Sequence, residues 1–432
     1  MTAKILLIIV FIILFFPCIP AKSAENTSGS LDIVGGRLEP DNSDIYNKFI
    51  ELSMKYRDKT REEVKIGIIP AGSGEPVSSA EIFKKNLMSY GVSEKNIETI
   101  PLAVKDDTST DFDESRWKDN GNSTEIAVKI ETYDGLWFTG GDQARYTEVL
   151  LDKEKKKTPV LEAVWNIYNR GAVLGGTSAG AAIMSSPMIG GGTSLEALNE
   201  YFSCKDEEKL VLSEGPGFFR YGMVDQHFSQ RGRLGRLVVA ALKTNNKFAF
   251  GIDENTAMVV DNRNNTIEVI GEGGLTIVNF TEVMLPGGGE QTGKSLCLPQ
   301  GGFKLNEKLK VTEIEHIIIS YIEKGDIYSP LTDKFDIKQT DDFDEEEYED
   351  DKIYVSTSIF DDIKDSITVY LHKKETTKGL AFEMTGEEEG AGFLLTFGKG
   401  KDTKIYCCDE GCSALNVYMN IEPVKIEIKK NI

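Results

Sequence analysis

Between about residue 30 and residue 280, short apolar runs alternate with amphipathic stretches. Residues 64–70 (Val-Lys-Ile-Gly-Ile-Ile-Pro) predict a buried strand, and residues 79–90 a helix stopped by Gly91. Residues 135–139 predict a strand running into a Gly-Gly turn, and residues 159–169 a helix followed by a strand at 172–174. Strands alternating with helices imply βαβ units, so the predicted fold class is α/β, a mostly parallel sheet flanked by helices. Right-handed crossovers gather the loops at the carboxyl ends of such strands on one edge, where these folds bind ligands. Beyond residue 352 the pattern changes. Residues 367–371, 393–397 and 424–428 alternate apolar with polar positions, which predicts a small C-terminal all-β domain.

Between these regions, nine of the eleven residues from Asp341 to Asp351 are acidic. Like charges at that density repel, and the run predicts an extended linker. At the amino end, Lys4 precedes an unbroken apolar run from Ile5 to Phe16, closed by Pro17 and Pro20, with Ala21-Lys22-Ser23 as a small-x-small cleavage site. The run is shorter than the roughly 20 apolar residues a membrane span needs, so it is expected to be a secretory signal peptide. The expected organisation is a signal peptide at 1–23, a catalytic domain at 30–325, an acidic linker at 333–352 and a β-rich accessory domain at 353–432. The mature protein is expected to be secreted, to the extracellular space or the periplasm, with no membrane span.

The chain has 432 residues, a net charge of −21 and 28% charged residues, an ordinary globular composition. The acidic balance argues against nucleic-acid binding, which needs clustered Lys and Arg to displace counterions. Of six cysteines, removal of Cys18 leaves Cys204, Cys297, Cys407, Cys408 and Cys412. Export permits disulfides, and the cluster at 407–412 lacks a histidine or a matching second pair, so a local disulfide is expected there rather than zinc.

The chemistry centres on Gly176-Thr177-Ser178-Ala179-Gly180, a G-x-S-x-G after one predicted strand and before a small-residue helix. This is the context of a nucleophile elbow, in which a sharp turn lifts the serine hydroxyl above the sheet. The N–H of Ala179 is then placed to hold an oxyanion. A serine needs a base, and the chain has three histidines. His316 lies in an apolar stretch past the βα core and His372 in the accessory region, which leaves His227, in Asp225-Gln226-His227-Phe228. The orienting acid would come from residues 248–257, where spacing alone does not choose between Asp253 and Glu254. The order Ser…His…acid differs from that of α/β-hydrolases. Arg231, Arg233 and Arg236 follow the histidine, and arginine forks suit a substrate carboxylate. Residues 288–295 match the phosphate-loop pattern, but Pro299 and the glycines after it leave no helix to receive a phosphate, so nucleotide binding is not expected.

Together these segments resemble the cyanophycinase family of serine peptidases. The matching stretches are residues 31–36 (Leu-Asp-Ile-Val-Gly-Gly), 138–143 (Phe-Thr-Gly-Gly-Asp-Gln), 175–181, the Asp-Gln-His-Phe run with its arginines, and 251–254 (Gly-Ile-Asp-Glu). The resemblance implies a class I glutamine-amidotransferase-like fold with Ser178 as nucleophile, His227 as base and Glu254 as orienting acid. It also implies Gly141 beside Ala179 in the oxyanion hole, and Gln143, Asp225, Gln226, Arg231, Arg233 and Arg236 as substrate-holding residues. The implied substrate is cyanophycin, a polyaspartate bearing arginine on each β-carboxyl, cleaved to β-aspartyl-arginine dipeptides. No metal and no cofactor is implied, and a homodimer is the candidate assembly. Alternative expectations are a secreted aspartyl dipeptidase of the same superfamily, and a surface binding protein on a retired scaffold. The acidic linker and β region depart from the family's shared unit. They are expected to concentrate the polymer, whose guanidinium groups attract carboxylates.

Overall fold

The computed structural model describes residues 29–203, 209–283, 313–338, 363–371, 374–384, 389–408 and 411–427. The expected signal peptide, the phosphate-loop-like segment, the acidic run at 341–351 and His372 lie outside the described residues.

The chain starts with the parallel part of the fold. Strands β1 (Ser30–Val34), β2 (Ile66–Ile69), β3 (Ile97–Thr99), β4 (Gly135–Phe138) and β5 (Val173–Thr177) are linked through helices α1 (Ser43–Arg57), α2 (Pro76–Ser89), α3 (Thr124–Ile130), α4 (Gln143–Leu150) and α5 (Pro159–Arg170). They pair in parallel in the order β1-β5-β4-β2-β3. Buried on both faces, they have near-continuous apolar sequences, as parallel strands require. Helix α5 shows the local logic. Thr158 caps it by accepting from the Leu161 N–H, Pro159 opens it, and Gly171 closes it in a left-handed conformation.

After α6 (Ala179–Ala182) come the hairpin of β6 (Met188–Gly191) and β7 (Val211–Ser213), with α7 (Ser194–Ser203) between them. Strands β8 (Met223–Gln226) and β9 (Phe248–Ile252) pair in parallel around α8 (Leu234–Thr244). Strand β10 (Thr256–Asp261) returns antiparallel to β1, and β11 (Thr266–Gly271) pairs antiparallel with β10, enlarging the first sheet. Strand β12 (Leu275–Asn279) pairs with β9, and β13 (Ile314–Ile322) with β12. The short strands β14 (Ile327–Ser329) and β15 (Lys334–Asp336) bring the first sheet to nine strands among the described residues. The fold is thus the expected mixed α/β arrangement, with a strand-rich C-terminal region.

Three expectations about organisation need correction. Residues 367–371, expected to form a strand, are helical instead. The acidic linker was placed from residue 333, but residues 334–336 form β15 and pair with β14, because Phe335 packs against Tyr328. The C-terminal strands are also not a detached domain. Strands β16 (Thr376–Met384), β17 (Glu389–Gly398), β18 (Lys404–Cys408) and β19 (Gly411–Glu427) join the sheet that starts with β8 and β9, in the order β16-β17-β19-β13-β12-β9-β8, with β18 pairing β19. Val417 and Met419 pack with Ile317 and Ile319 in one buried cluster with α8. Alternation along a strand shows that it has a buried face, not which sheet it joins. Cys407 and Cys412 form the disulfide expected within this cluster, across the β18–β19 turn, a pairing the sequence had left open.

Asp32, on β1, is fully buried, and neither carboxyl oxygen has a hydrogen-bond partner among the described residues. Burial pushes its carboxyl up to about 8 from the ordinary 3.8, with Lys48 opposing. The folded protein therefore keeps a proton that the unfolded chain releases, so this residue's contribution to stability falls as pH rises through that window and levels off above it. Asp32→Asn needs no proton. Its stability advantage over the wild type in urea unfolding should grow from near zero at about pH 4 to a maximum near pH 8, by at most about 1.4 kcal/mol per pH unit. A difference that does not change with pH would refute this account of Asp32.

Candidate active site

Ser178 sits between β5 and α6 with φ 55° and ψ −110°. A non-glycine residue in this region is strained, and the strain persists because the turn around it is tightly packed. A Cβ on Gly176 would come within 2.7 Å of the Gly180 carbonyl oxygen, so the turn closes only with glycine there. The Ser178 N–H donates to the Val34 carbonyl at 3.1 Å.

His227 follows β8 and also has positive φ, 47°. Its Nε2 lies 2.8 Å from Ser178 Oγ, and its Nδ1 lies 2.6 Å from Glu254 Oε1. With the carboxylate accepting from Nδ1–H, Nε2 is left to accept the serine proton, a tautomer assigned from its partners. Glu254 leaves the carboxyl end of β9, and its N–H donates to Gln230 Oε1 at 3.0 Å. Asp253 faces elsewhere. It accepts from the N–H groups of Ser229 and Gly274 and from the Tyr321 hydroxyl. Of the two acids left open by spacing, Glu254 is the one that meets the imidazole.

The end of β1 ties these segments together. The carbonyls of Val34, Gly35 and Gly36 accept, in turn, from the N–H groups of Ser178, His227 and Asn255, at 3.1, 2.6 and 2.8 Å. Gly36, at φ 119°, lies against the imidazole face, where an added Cβ would fall 2.2 to 2.6 Å from the Cε1, Nε2 and Nδ1 atoms of His227. Only glycine fits.

Gly141 and Ala179 flank the nucleophile. The turn at 140–141 packs beside it, since a Cβ on Gly140 would sit 3.5 Å from Ser178 Cβ. Neither the Gly141 nor the Ala179 N–H has an acceptor among the described residues. Free amide donors near a nucleophilic hydroxyl are the kind of group that holds a developing oxyanion.

The predicted substrate-holding residues divide into two sets. Asp225 and Arg236 are buried and form a two-point ion pair, Nε to Oδ2 at 2.7 Å and Nη2 to Oδ1 at 2.6 Å, and Arg236 also donates to the Gly192 carbonyl at 2.9 Å. Arg233 donates to the Gln226 carbonyl at 2.5 Å. Burial lowers the Arg233 guanidinium to about 10. Gln143 donates to the Ile189 and Gly190 carbonyls at 2.8 and 3.2 Å. These groups hold the walls together. Arg231, by contrast, is exposed, and Gln226 keeps a buried Oε1 with no partner among the described residues. On a helix Arg233 and Arg236 would share a face. Instead Arg231 ends a short 3₁₀ turn, Gly232 is left-handed, and α8 starts at Leu234. His316 sits in β13 with its ring nearly perpendicular to that of Tyr418, apart from this cluster. Sequence reasoning missed Arg37, which donates from Nη1 to Glu254 Oε2 at 3.3 Å. A lone exposed arginine after a glycine pair carries no spacing signal.

A part-buried serine–imidazole–carboxylate relay beside free amide donors is the arrangement of a serine-type peptidase. No family model matches the chain. Among curated proteins it resembles the cyanophycinases of Trichormus variabilis and of a Nostoc species, each 30% identical over 288 residues, covering 62% of this chain and 88% of the relative. The cyanophycinase of Synechococcus elongatus is 33% identical over 219 residues, covering 50% of this chain and 59% of the relative. Among solved structures, a peptidase from an acI-B1 Actinobacterium aligns with a TM-score of 0.43 at 18% identity, covering 59% of this chain and 91% of that one. The chain is a serine-type peptidase. It belongs to the cyanophycinase family.

Burial lowers the His227 imidazole below its ordinary 6.5; the Glu254 hydrogen bond opposes this, and Arg231 and Arg233 reinforce it. A base must be neutral to accept a proton, so lowering its pKa extends the active range downward. The acid limb of kcat/KM should have its midpoint below 6.5. A midpoint above that value would contradict the burial argument. Gly36→Ala should push the ring off the serine and lower kcat by about a hundredfold; wild-type turnover would show that the ring has room to spare.

Proposed function

We propose that this chain is an exported serine exopeptidase that degrades cyanophycin to β-aspartyl-arginine dipeptides. The observation that carries the reading is the unbroken relay from Ser178 Oγ through His227 to Glu254, at 2.8 and 2.6 Å. In this scheme His227 Nε2 takes the Ser178 proton as Oγ attacks a backbone aspartyl carbonyl. The N–H groups of Gly141 and Ala179 hold the oxyanion. The tetrahedral intermediate collapses, the C–N bond breaks, and His227 passes its proton to the leaving amine. Water, deprotonated by the same imidazole, then releases the acyl group and regenerates the serine. Glu254 keeps the imidazole in the productive tautomer and stabilises the imidazolium.

The ion pair of Asp225 with Arg236 leaves Arg231 as the guanidinium placed to bind a substrate carboxylate in two-point fashion. The unpartnered Gln226 Oε1 is an acceptor suited to an arginyl N–H of the polymer. The amino-terminal apolar run supports export, and an exported enzyme would meet polymer released by other cells. Helices among the described residues include none long and apolar enough to cross a membrane.

A clearing-zone assay on purified cyanophycin, with mass analysis of the products, tests the reading. The wild type should release β-aspartyl-arginine, and Ser178→Ala should lower turnover by about three to six powers of ten without loss of folding. Activity confined to short aspartyl dipeptides would replace this reading with a dipeptidase. Arg231→Ala should raise KM for the polymer about tenfold with an unchanged Tm, whereas Asp225→Ala should cost about 3–5 kcal/mol of stability by stranding the buried Arg236. An unchanged KM in Arg231→Ala would remove that residue from the substrate site.

A further inference from the structure

Glu254 has a second partner, which the relay does not use. Its Oε1 faces His227 Nδ1, and its Oε2 accepts from Arg37 Nη1 at 3.3 Å. Arg37 follows Gly36, so the guanidinium comes from the same loop that covers the imidazole. The Arg37 side chain is 77% exposed, while that of Glu254 is 14% exposed. An ion pair with one partner so exposed adds little to folding stability.

We propose that Arg37 is a positioning residue. By holding the outer oxygen of Glu254 it fixes the carboxylate plane toward His227 Nδ1 and draws part of its negative charge away from the imidazole. The proposal rests on the triad reading above and adds a fourth member to it.

The surroundings support this role. The charged groups that face His227 are Glu254 from the loop after β9, Arg231 and Arg233 from its own segment after β8, and Arg37, through Glu254, from the loop after β1. Asp253 is turned onto Ser229, Gly274 and Tyr321. The backbone beneath Arg37 is fixed on both sides. The Gly36 carbonyl accepts from the Asn255 N–H at 2.8 Å, and the Glu39 N–H donates to Asn255 Oδ1 at 3.0 Å. A flexible side chain thus starts from a fixed point and ends on the catalytic carboxylate. Without it, Glu254 has one fewer restraint and its full charge favours the imidazolium.

The test compares full-length wild type, Arg37→Ala, Arg37→Lys and Ser178→Ala on one soluble substrate across about pH 5 to 9. Arg37→Ala should lower kcat about three- to tenfold with KM unchanged, and move the acid limb upward by a few tenths of a pH unit. Arg37→Lys should restore the limb but only part of kcat, because an ammonium is a point charge without a planar fork. Tm should be the same in all four proteins. Wild-type kcat and limb in Arg37→Ala would overturn the proposal. So would a raised KM with kcat and limb unmoved, which would make Arg37 a substrate-binding group. The Ser178→Ala arm separates the two failures: activity surviving there refutes the triad reading, and activity lost there with wild-type behaviour in Arg37→Ala refutes only the role of Arg37.

Discussion

Three consecutive carbonyls at the end of β1 set the geometry of the site. Val34, Gly35 and Gly36 accept from Ser178, His227 and Asn255, so one short stretch of backbone indexes all three chemistry-bearing segments. Each bond contributes only about 1 kcal/mol net. Their larger effect is on position: they fix the nucleophile, the base and the acid relative to one frame, and such preorganisation is what lowers a reaction barrier. Gly36 adds a steric term, because its bare α carbon lets the imidazole lie flat on the turn.

The frame matters because the triad spans two sheets. Ser178 ends β5 in the first, whereas His227 and Glu254 end β8 and β9 in the second. The β1 turn is a direct backbone bridge between the two segments, beside the hydroxyl that lies 2.8 Å from the imidazole. The second sheet is in turn completed by the C-terminal strands, through β13 and β19. Removing them would expose the β13 edge, two strands away from the one that carries Glu254. In the described residues this region is therefore part of the scaffold behind the site. Asp253 makes the same link in side-chain form, joining the Ser229 backbone beside the catalytic histidine to Tyr321 on β13.

How much of this could be read beforehand depended on whether the signal was local. The nucleophile elbow was legible because its glycines and serine are contiguous and flanked by a strand and a helix. His227 was legible by elimination among three histidines. Parallel strands were legible from apolar runs broken by helical patterns. The contest between Asp253 and Glu254 was decided only by the family resemblance and not by spacing, since adjacent residues at a strand end differ only in where the chain turns next. The arginine run was legible as a charge cluster but not in its arrangement, for a similar reason. Gly232 breaks the helical register, and Arg236 turns inward onto Asp225, which no spacing rule encodes. Sheet membership of β19 and the reach of Arg37 are long-range facts. The first depends on which edge is left open, the second on a loop packing across the site.

The central claim is that this framework converts an ordinary hydroxyl into a nucleophile. Intact-protein and peptide mass spectrometry after treatment with a serine-directed phosphonate tests it most directly. The account predicts a single adduct, on Ser178, whose formation is lost in His227→Ala. An unlabelled wild type, an adduct on another serine, or equal labelling of wild type and His227→Ala would contradict it.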